Sequence, residues 1–203
     1  MTAHPSLKLS YFDGKGRAEA IRLAFAVGKI EFEDERLARE AFIKRKPDLP
    51  FGSLPTLSIG DKQFAQSNAL LRYAGKLAGL YPADALEALK VDQILDAVED
   101  IQGALRPSFF EQDKEKKLSM RKEFMENAFP RYVSGIESLV EGKWAVGDKM
   151  TIADLVLYQL KDTFTSGFLD GIPKNAFDEY SKISSVADAV GLNAEVKAWN
   201  DSH

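Results

Sequence analysis

The hydrophobic period changes once along this chain, and that change constrains the fold more than any other feature. Before residue 80, segments of period two alternate with segments of helical period. Beyond Leu80-Tyr81-Pro82 the period-two signal nearly vanishes. Leu7, Leu9 and Tyr11 alternate with Lys8, Ser10 and Phe12, which predicts a strand. Asp13-Gly14-Lys15-Gly16 is a turn run, and residues 17–27 read as a helix stopped by Gly28. Residues 30–36 alternate again. A β-α-β order implies a parallel pair joined by a right-handed crossover. Residues 38–45 are short, charged and weakly periodic, and residues 46–52 hold two prolines and a glycine, so no regular element is expected there. Residues 54–59 lead into a third strand. Gly60-Asp61 is a two-residue turn of the antiparallel kind, and residues 63–65 make a short fourth strand. Gln66-Ser67-Asn68 supplies caps for a helix over residues 69–77 that ends near Gly79.

The remainder reads as helix. Leu86, Leu89, Ile94, Leu95, Val98 and Ile101 fall at helical spacing within residues 83–105, and a second long stretch over 114–140 is bent or interrupted at Pro130. Its charge run, Asp113-Lys114-Glu115-Lys116-Lys117, mixes signs and reads as a solvated face. Thr151-Ile152-Ala153-Asp154 is a capping box in front of Leu155-Val156-Leu157-Tyr158. Two more helices are expected near residues 175–182 and 193–199. The expected architecture is an α/β, thioredoxin-like N-terminal domain over residues 1–80 followed by an all-α C-terminal domain over residues 85–203.

Composition narrows the chemistry. The chain has 203 residues, of which 45% are apolar and 29% charged, enough to bury a core and stay soluble. A net charge of −4 argues against a nucleic-acid partner. No stretch is apolar enough for a membrane span, and the N-terminus lacks a basic region followed by an apolar run, so a cytoplasmic location is expected. There are no cysteines, and the two histidines, His4 and His203, sit at termini expected to fray. Thiolate nucleophiles, disulfides and Cys-based metal sites are excluded, and the placement of the two histidines argues against histidine-based catalysis. A thioredoxin-like unit without its own thiol is left with binding a thiol from elsewhere.

Four blocks then resemble one family. Residues 11–22 (YFDGKGRAEAIR), Leu49-Pro50-Phe51-Gly52-Ser53-Leu54-Pro55, Gln66-Ser67 and Thr151-Ile152-Ala153-Asp154 are similar, in that order, to the cytosolic glutathione transferases, and most to the tyrosine-type, sigma-like class. The resemblance runs over the whole chain. It implies a detoxifying transferase with glutathione as co-substrate, no tightly bound cofactor, a small hydrophobic electrophile as second substrate, and a homodimer.

The resemblance also assigns roles. Tyr11 supplies the catalytic hydroxyl, and Arg17, at the start of the first helix, supports the thiolate; without the family they read as a strand tyrosine and a surface arginine. Leu54-Pro55 is expected to hold a cis peptide whose main chain pairs with the cysteinyl part of the tripeptide. Gln66 and Ser67, at a helix start, receive the γ-glutamyl end, or Ser67 simply caps the helix, and both can hold. Lys46 reaches the glycyl carboxylate, with Gly52 in the same loop. Phe42 stands where relatives carry a tryptophan that bonds that carboxylate, and Ser53 replaces a common Lys or Gln, so weaker glutathione binding is expected. Asp100 reaches across a dimer interface to the α-amino group. Asp96, Glu99 and Asp100 crowd one helix face, either as a solvated acidic face or around a divalent cation between subunits. Exposed Phe51 is a candidate interface residue. The electrophile pocket is expected between the domains near Phe12, Gly16, Gly103 and Pro107, with Phe164 or Phe168 as further candidates. Pro107 falls where the sigma-like prostaglandin isomerases carry an aromatic residue, which argues against a specialised prostaglandin synthase. The alternatives are a non-catalytic ligand-binding or structural member of the same fold, and a glutathione-dependent isomerase or peroxidase.

Overall fold

The structure, a computed structural model, describes residues 5–203. His4 lies outside the described residues. Contacts divide the chain into two units, one of residues 1–81 with 194–203 and one of residues 82–193.

The first unit is built on a four-stranded sheet in the order β2-β1-β3-β4. β1 (Leu7–Phe12) runs parallel to β2 (Glu33–Leu37) and antiparallel to β3 (Thr56–Ile59), which pairs antiparallel with β4 (Lys62–Ala65). The parallel pair is joined through α1 (Glu19–Val27), as the β-α-β pattern requires. Leu9 and Leu57 face one another across the β1–β3 ladder and are fully buried, and α1 contributes Ile21, Leu23, Ala24 and Phe25 to the same core. α1 packs on α3 (Ser67–Ala78), where Gly28 is required by a close approach: a Cβ there would lie 2.6 Å from Ala78 Cβ. The charged segment after β2 forms a helix, α2 (Arg39–Arg45), that continues as a 3-10 turn over Lys46–Asp48. Pro47 inside that turn costs no hydrogen bond, because a first-turn N–H has no intrahelical partner.

The second unit is all helical. α4 (Ala85–Leu105) starts at Asp84, whose side chain caps Leu86 N and Glu87 N. A short α5 (Pro107–Phe110), α6 (Lys114–Glu126), α7 (Ala128–Leu139), α8 (Ile152–Thr165) and α9 (Ser181–Gly191) follow. α4 packs on α7 and α8, and α8 on α9. The core between them holds Ile94, Leu95, Val98, Ile101, Val133, Ile136, Leu155 and Val186, all at 2% exposure or less. The capping box is formed as expected: Asp154 is fully buried and accepts from Ala145 N (2.6 Å), Thr151 N (2.6 Å) and Thr151 Oγ1 (2.9 Å). Burial pushes the Asp154 carboxyl above its usual value, opposed by those donors.

The structure corrects two sequence expectations here. The long stretch over 114–140 breaks at Asn127, not at Pro130, which sits in the first turn of α7 where proline is tolerated. The helix expected near 175–182 is instead a run of turns leading into α9, which begins where that prediction ended. The last helix, α10 (Ala194–Ser202), packs on α1. The His203 ring stacks on Trp199 at 3.8 Å and 15°. No helix among the described residues is long and apolar enough to cross a membrane.

Candidate functional site

β1 carries Tyr11 and Phe12 to the edge of the turn run, and the chain then tightens into a 3-10 turn over Gly16–Ala18 before α1. This brings the Arg17 N–H to the Tyr11 hydroxyl oxygen, 3.2 Å away. Gly16 makes the approach possible. Its φ is +39°, and a Cβ there would lie 2.5 Å from the Tyr11 oxygen. Because that oxygen accepts from Arg17 N–H, the phenolic proton is left to donate elsewhere. Arg17 thus meets the Tyr11 hydroxyl through its backbone N–H, which the sequence reading did not single out.

The other first-unit residues converge from two further loops. Phe42, on α2, packs edge-to-face on Phe12 (ring centroids 5.1 Å apart), and Phe12 in turn lies 5.5 Å from the Tyr11 ring. α2 is tied to the sheet through Arg45, which donates to Glu35 Oε2 at 2.7 Å, and Ser10 Oγ donates to the same oxygen at 2.6 Å. Burial would raise the Glu35 carboxyl, but Ser10, Arg45 and Lys8 outweigh it and hold it below its ordinary value. Lys46 follows directly, and its aliphatic chain lies beside Gly52, where a Cβ would meet it at 3.6 Å. Gly52 has φ +58° and donates to Leu49 O. Exposed Ser53 follows, then the Leu54–Pro55 peptide, which is cis as expected, and β3.

β4 ends at Gln66, whose φ of +76° is unusual for a side-chain-bearing residue. The Gln66 carbonyl accepts the first α3 bond from Leu70 N, and no side chain caps the helix. Ser67 is the first helical residue, not the cap, so capping by Ser67 is not what the structure forms. The first-turn N–H groups of α3 stay at the disposal of an anion, as at other uncapped helix starts. Backbone strain at a single residue is commonly held in place by its surroundings for use at a site.

The second-unit candidates are placed as follows. Asp96, Glu99 and Asp100 lie on one stretch of α4, with Asp96 and Asp100 exposed. No group of three acidic or histidine side chains among the described residues is arranged to hold a metal ion. Gly103 is exposed near the end of α4, and Pro107 opens α5, also exposed. Phe164 and Phe168, the further candidates, differ in burial. Phe164 is 2% exposed inside an aromatic cluster with Phe124, Phe129 and Phe177, while Phe168 is 72% exposed.

The sequence reading missed Arg22. It is fully buried on α1, pairs with Asp34 (2.9 Å) and Glu19 (3.2 Å), and donates to Gly14 O at 2.7 Å, directly under the turn that carries Gly16. The available signal was the Glu19–Arg22 spacing of i, i+3 within an otherwise apolar helix. Arg36 closes the other side, bridging Asp34 and Asp13. Burial would lower its basicity, but those two carboxylates raise it.

Residues 7–76 match the family model described as Glutathione S-transferase, N-terminal domain, and residues 99–203 match that described as Glutathione S-transferase, C-terminal domain. The chain belongs to the glutathione S-transferase family. Among its relatives, Glutathione S-transferase 1 of Ascaris suum is 39% identical over 162 residues, covering 75% of this chain and 77% of that protein. Glutathione S-transferase 4 of Caenorhabditis elegans is 33% identical over 91% of this chain and 93% of its own. The solved structure of prostaglandin synthase D of Nilaparvata lugens matches with a TM-score of 0.88 at 27% identity, covering 98% of both chains. The transferase thus has the expected fold class, a mixed four-stranded α/β unit plus an all-helical unit. Its co-substrate by family is glutathione.

Proposed function

We propose that this transferase activates glutathione through Tyr11, in the manner of the tyrosine-type, sigma-like class, and adds the thiolate to small hydrophobic electrophiles. The observation that carries this reading is the Arg17 N–H to Tyr11 hydroxyl contact, with Gly16 leaving room for it. The contact leaves the phenolic proton free to be donated to a thiolate. An unperturbed thiol has a pKa of about 8.5, and only the thiolate attacks. Lowering that value by about two units requires about 2.7 kcal/mol of preference for the anion. A hydrogen bond to a charged acceptor is worth about 1.5–3 kcal/mol, so one aimed phenol supplies most of it. The Arg17 cation adds favourable field.

In this reading the thiol proton passes to solvent, the sulfur forms a bond to the electrophilic carbon, and the leaving group departs with the bonding pair. The γ-glutamyl carboxylate takes the uncapped start of α3 at Gln66 and Ser67. The cysteinyl main chain pairs at Leu54 and Pro55, and Lys46 holds the glycyl carboxylate beside Gly52 and Ser53. Phe42 packs on Phe12 and has no donor to offer that carboxylate. Asp100 serves the α-amino group of glutathione bound by a second copy, so the working form is a homodimer. On the first unit, Phe12 and Gly16 meet the electrophile; Gly103 and Pro107 are the second unit's candidates for it. Detoxification in the cytoplasm is the role that fits.

Two measurements on Tyr11→Phe test this reading: conjugation of glutathione to a chloronitroaromatic, and calorimetric binding of glutathione. The conjugation rate should fall by about 100-fold, the scale of one lost transition-state donor, with binding little changed. A variant as active as the wild type would remove Tyr11 from the mechanism.

A further inference from the structure

We infer that Arg22 is a positioning residue for the Tyr11–Arg17 contact, and that Glu19 and Trp199 hold Arg22 in place. The inference rests on the reading of Tyr11 as the thiolate's donor. The turn at residues 13–16 is poorly held by packing. Asp13, Gly14, Lys15 and Gly16 are all exposed, and a cavity of about 220 Å³ separates Asp13, Gly14 and Lys15 from Asn200 and His203 of the C-terminal segment. Polar tethers take over from packing. Arg22 Nη1 donates to Gly14 O at 2.7 Å and reaches Lys15 O at 3.5 Å, fastening the two carbonyls that immediately precede Gly16. The guanidinium carbon sits 5.9 Å from the Tyr11 ring centroid, so one buried cation addresses both halves of the contact.

Arg22 is in turn fixed by its own partners. Its Nε donates to Asp34 Oδ1 at 2.9 Å, and Nη1 also donates to Glu19 Oε2 at 3.2 Å. The second Glu19 oxygen accepts from Trp199 Nε1 at 3.0 Å. Trp199 is clamped between the rings of Phe32 and His203. The path from α10 to Tyr11 is therefore continuous: indole, carboxylate, guanidinium, carbonyl, turn, amide, phenol. Arg22 Nη2 is buried without a partner, so the side chain accepts an unsatisfied donor to keep this geometry. A planar fork can serve two carboxylates and a carbonyl at once, whereas an ammonium is a point charge on a flexible stem.

A purely structural arginine would stabilise all of α1 alike. A positioning arginine acts locally on the Arg17 amide. Amide hydrogen exchange on the full chain, read by NMR, separates these cases in Arg22→Lys and Trp199→Phe. Trp199→Phe keeps an aromatic ring beside Phe32 and His203 but removes the indole N–H that Glu19 accepts, together with part of the stacked surface. Arg22→Lys should speed exchange of the Arg17 amide by about tenfold, as release of a local tether does, while Leu23 and Phe25 in α1 are unchanged. Trp199→Phe should move the same amide in the same direction by less, and it alone decides if Arg22→Lys does not fold. The pKa of the bound glutathione thiol should also rise by about one unit in Arg22→Lys, with glutathione affinity within about threefold of wild type. An unchanged Arg17 amide, or uniform acceleration through α1, overturns the inference. An unshifted thiol in the wild type would instead overturn the role of Tyr11, while the amide rates still decide whether Arg22 positions the turn.

Discussion

Gly16 and the Tyr11 hydroxyl compete for the same space. A methyl at residue 16 would sit 2.5 Å from the phenolic oxygen, on a backbone with φ +39°. The ring must move, and the oxygen that moves is the one that Arg17 N–H orients. Gly16→Ala should therefore lose activity by about tenfold or more while costing only about 1–2 kcal/mol of stability, the scale of left-handed strain. Conjugation kinetics beside a thermal melt checks both. The position of Tyr11 at the end of a strand was legible in the sequence from the period-two pattern and the glycine-rich turn after it, but its proposed role came only from the family resemblance. The Arg17 amide and Arg22 were not legible. A backbone N–H carries no side-chain signature, and a buried arginine in a helix is written with the same letter as a surface one.

β2 and α2 hold one flank of the site through Glu35, which gathers Ser10, Arg45 and Lys8. Its carboxyl is depressed below 4.5 in the folded protein. A carboxyl depressed by folding stabilises fully above its unfolded value, and that contribution is lost as pH falls through the lowered folded value. Glu35→Gln should thus be less stable than wild type at pH 7, and the gap should close as pH drops below about 4.5. Denaturant midpoints at pH 7, 5 and 3.5 measure it; a gap independent of pH would mean that the ion pairs contribute nothing. At this scale the strands and α1, α3, α4 and α8 were legible from period and caps. α9 was not. Its Ser-Ser-rich start carries weak helix propensity, and its helix is held by burying Ile183, Val186 and Val190, a tertiary effect.

Across the whole chain, the single change of hydrophobic period near residue 80 reports the passage from a sheet-based unit to a helical one. The return of α10 to α1 was invisible to it, because a contact between residues 19 and 199 leaves no local pattern. The candidate site was readable mostly through its family resemblance; spacing alone left Gln66, Lys46 and Pro55 as ordinary loop and cap residues. Phe51, 66% exposed beside Gly52, is an apolar side chain with little cover from its own chain. The proposed dimer predicts that sedimentation gives twice the chain mass, and that Phe51→Ser shifts the population toward monomer. A wild type that sediments as a monomer at all concentrations would remove Asp100 from the neighbouring site. The most direct test of the account is an ultraviolet pH titration of the glutathione thiolate, bound to wild type and to Tyr11→Phe. The account predicts a bound pKa about two units below the free value of about 8.5 in wild type, returning toward it in Tyr11→Phe. Binding with an unshifted pKa in the wild type, or a shift that survives in Tyr11→Phe, would contradict it.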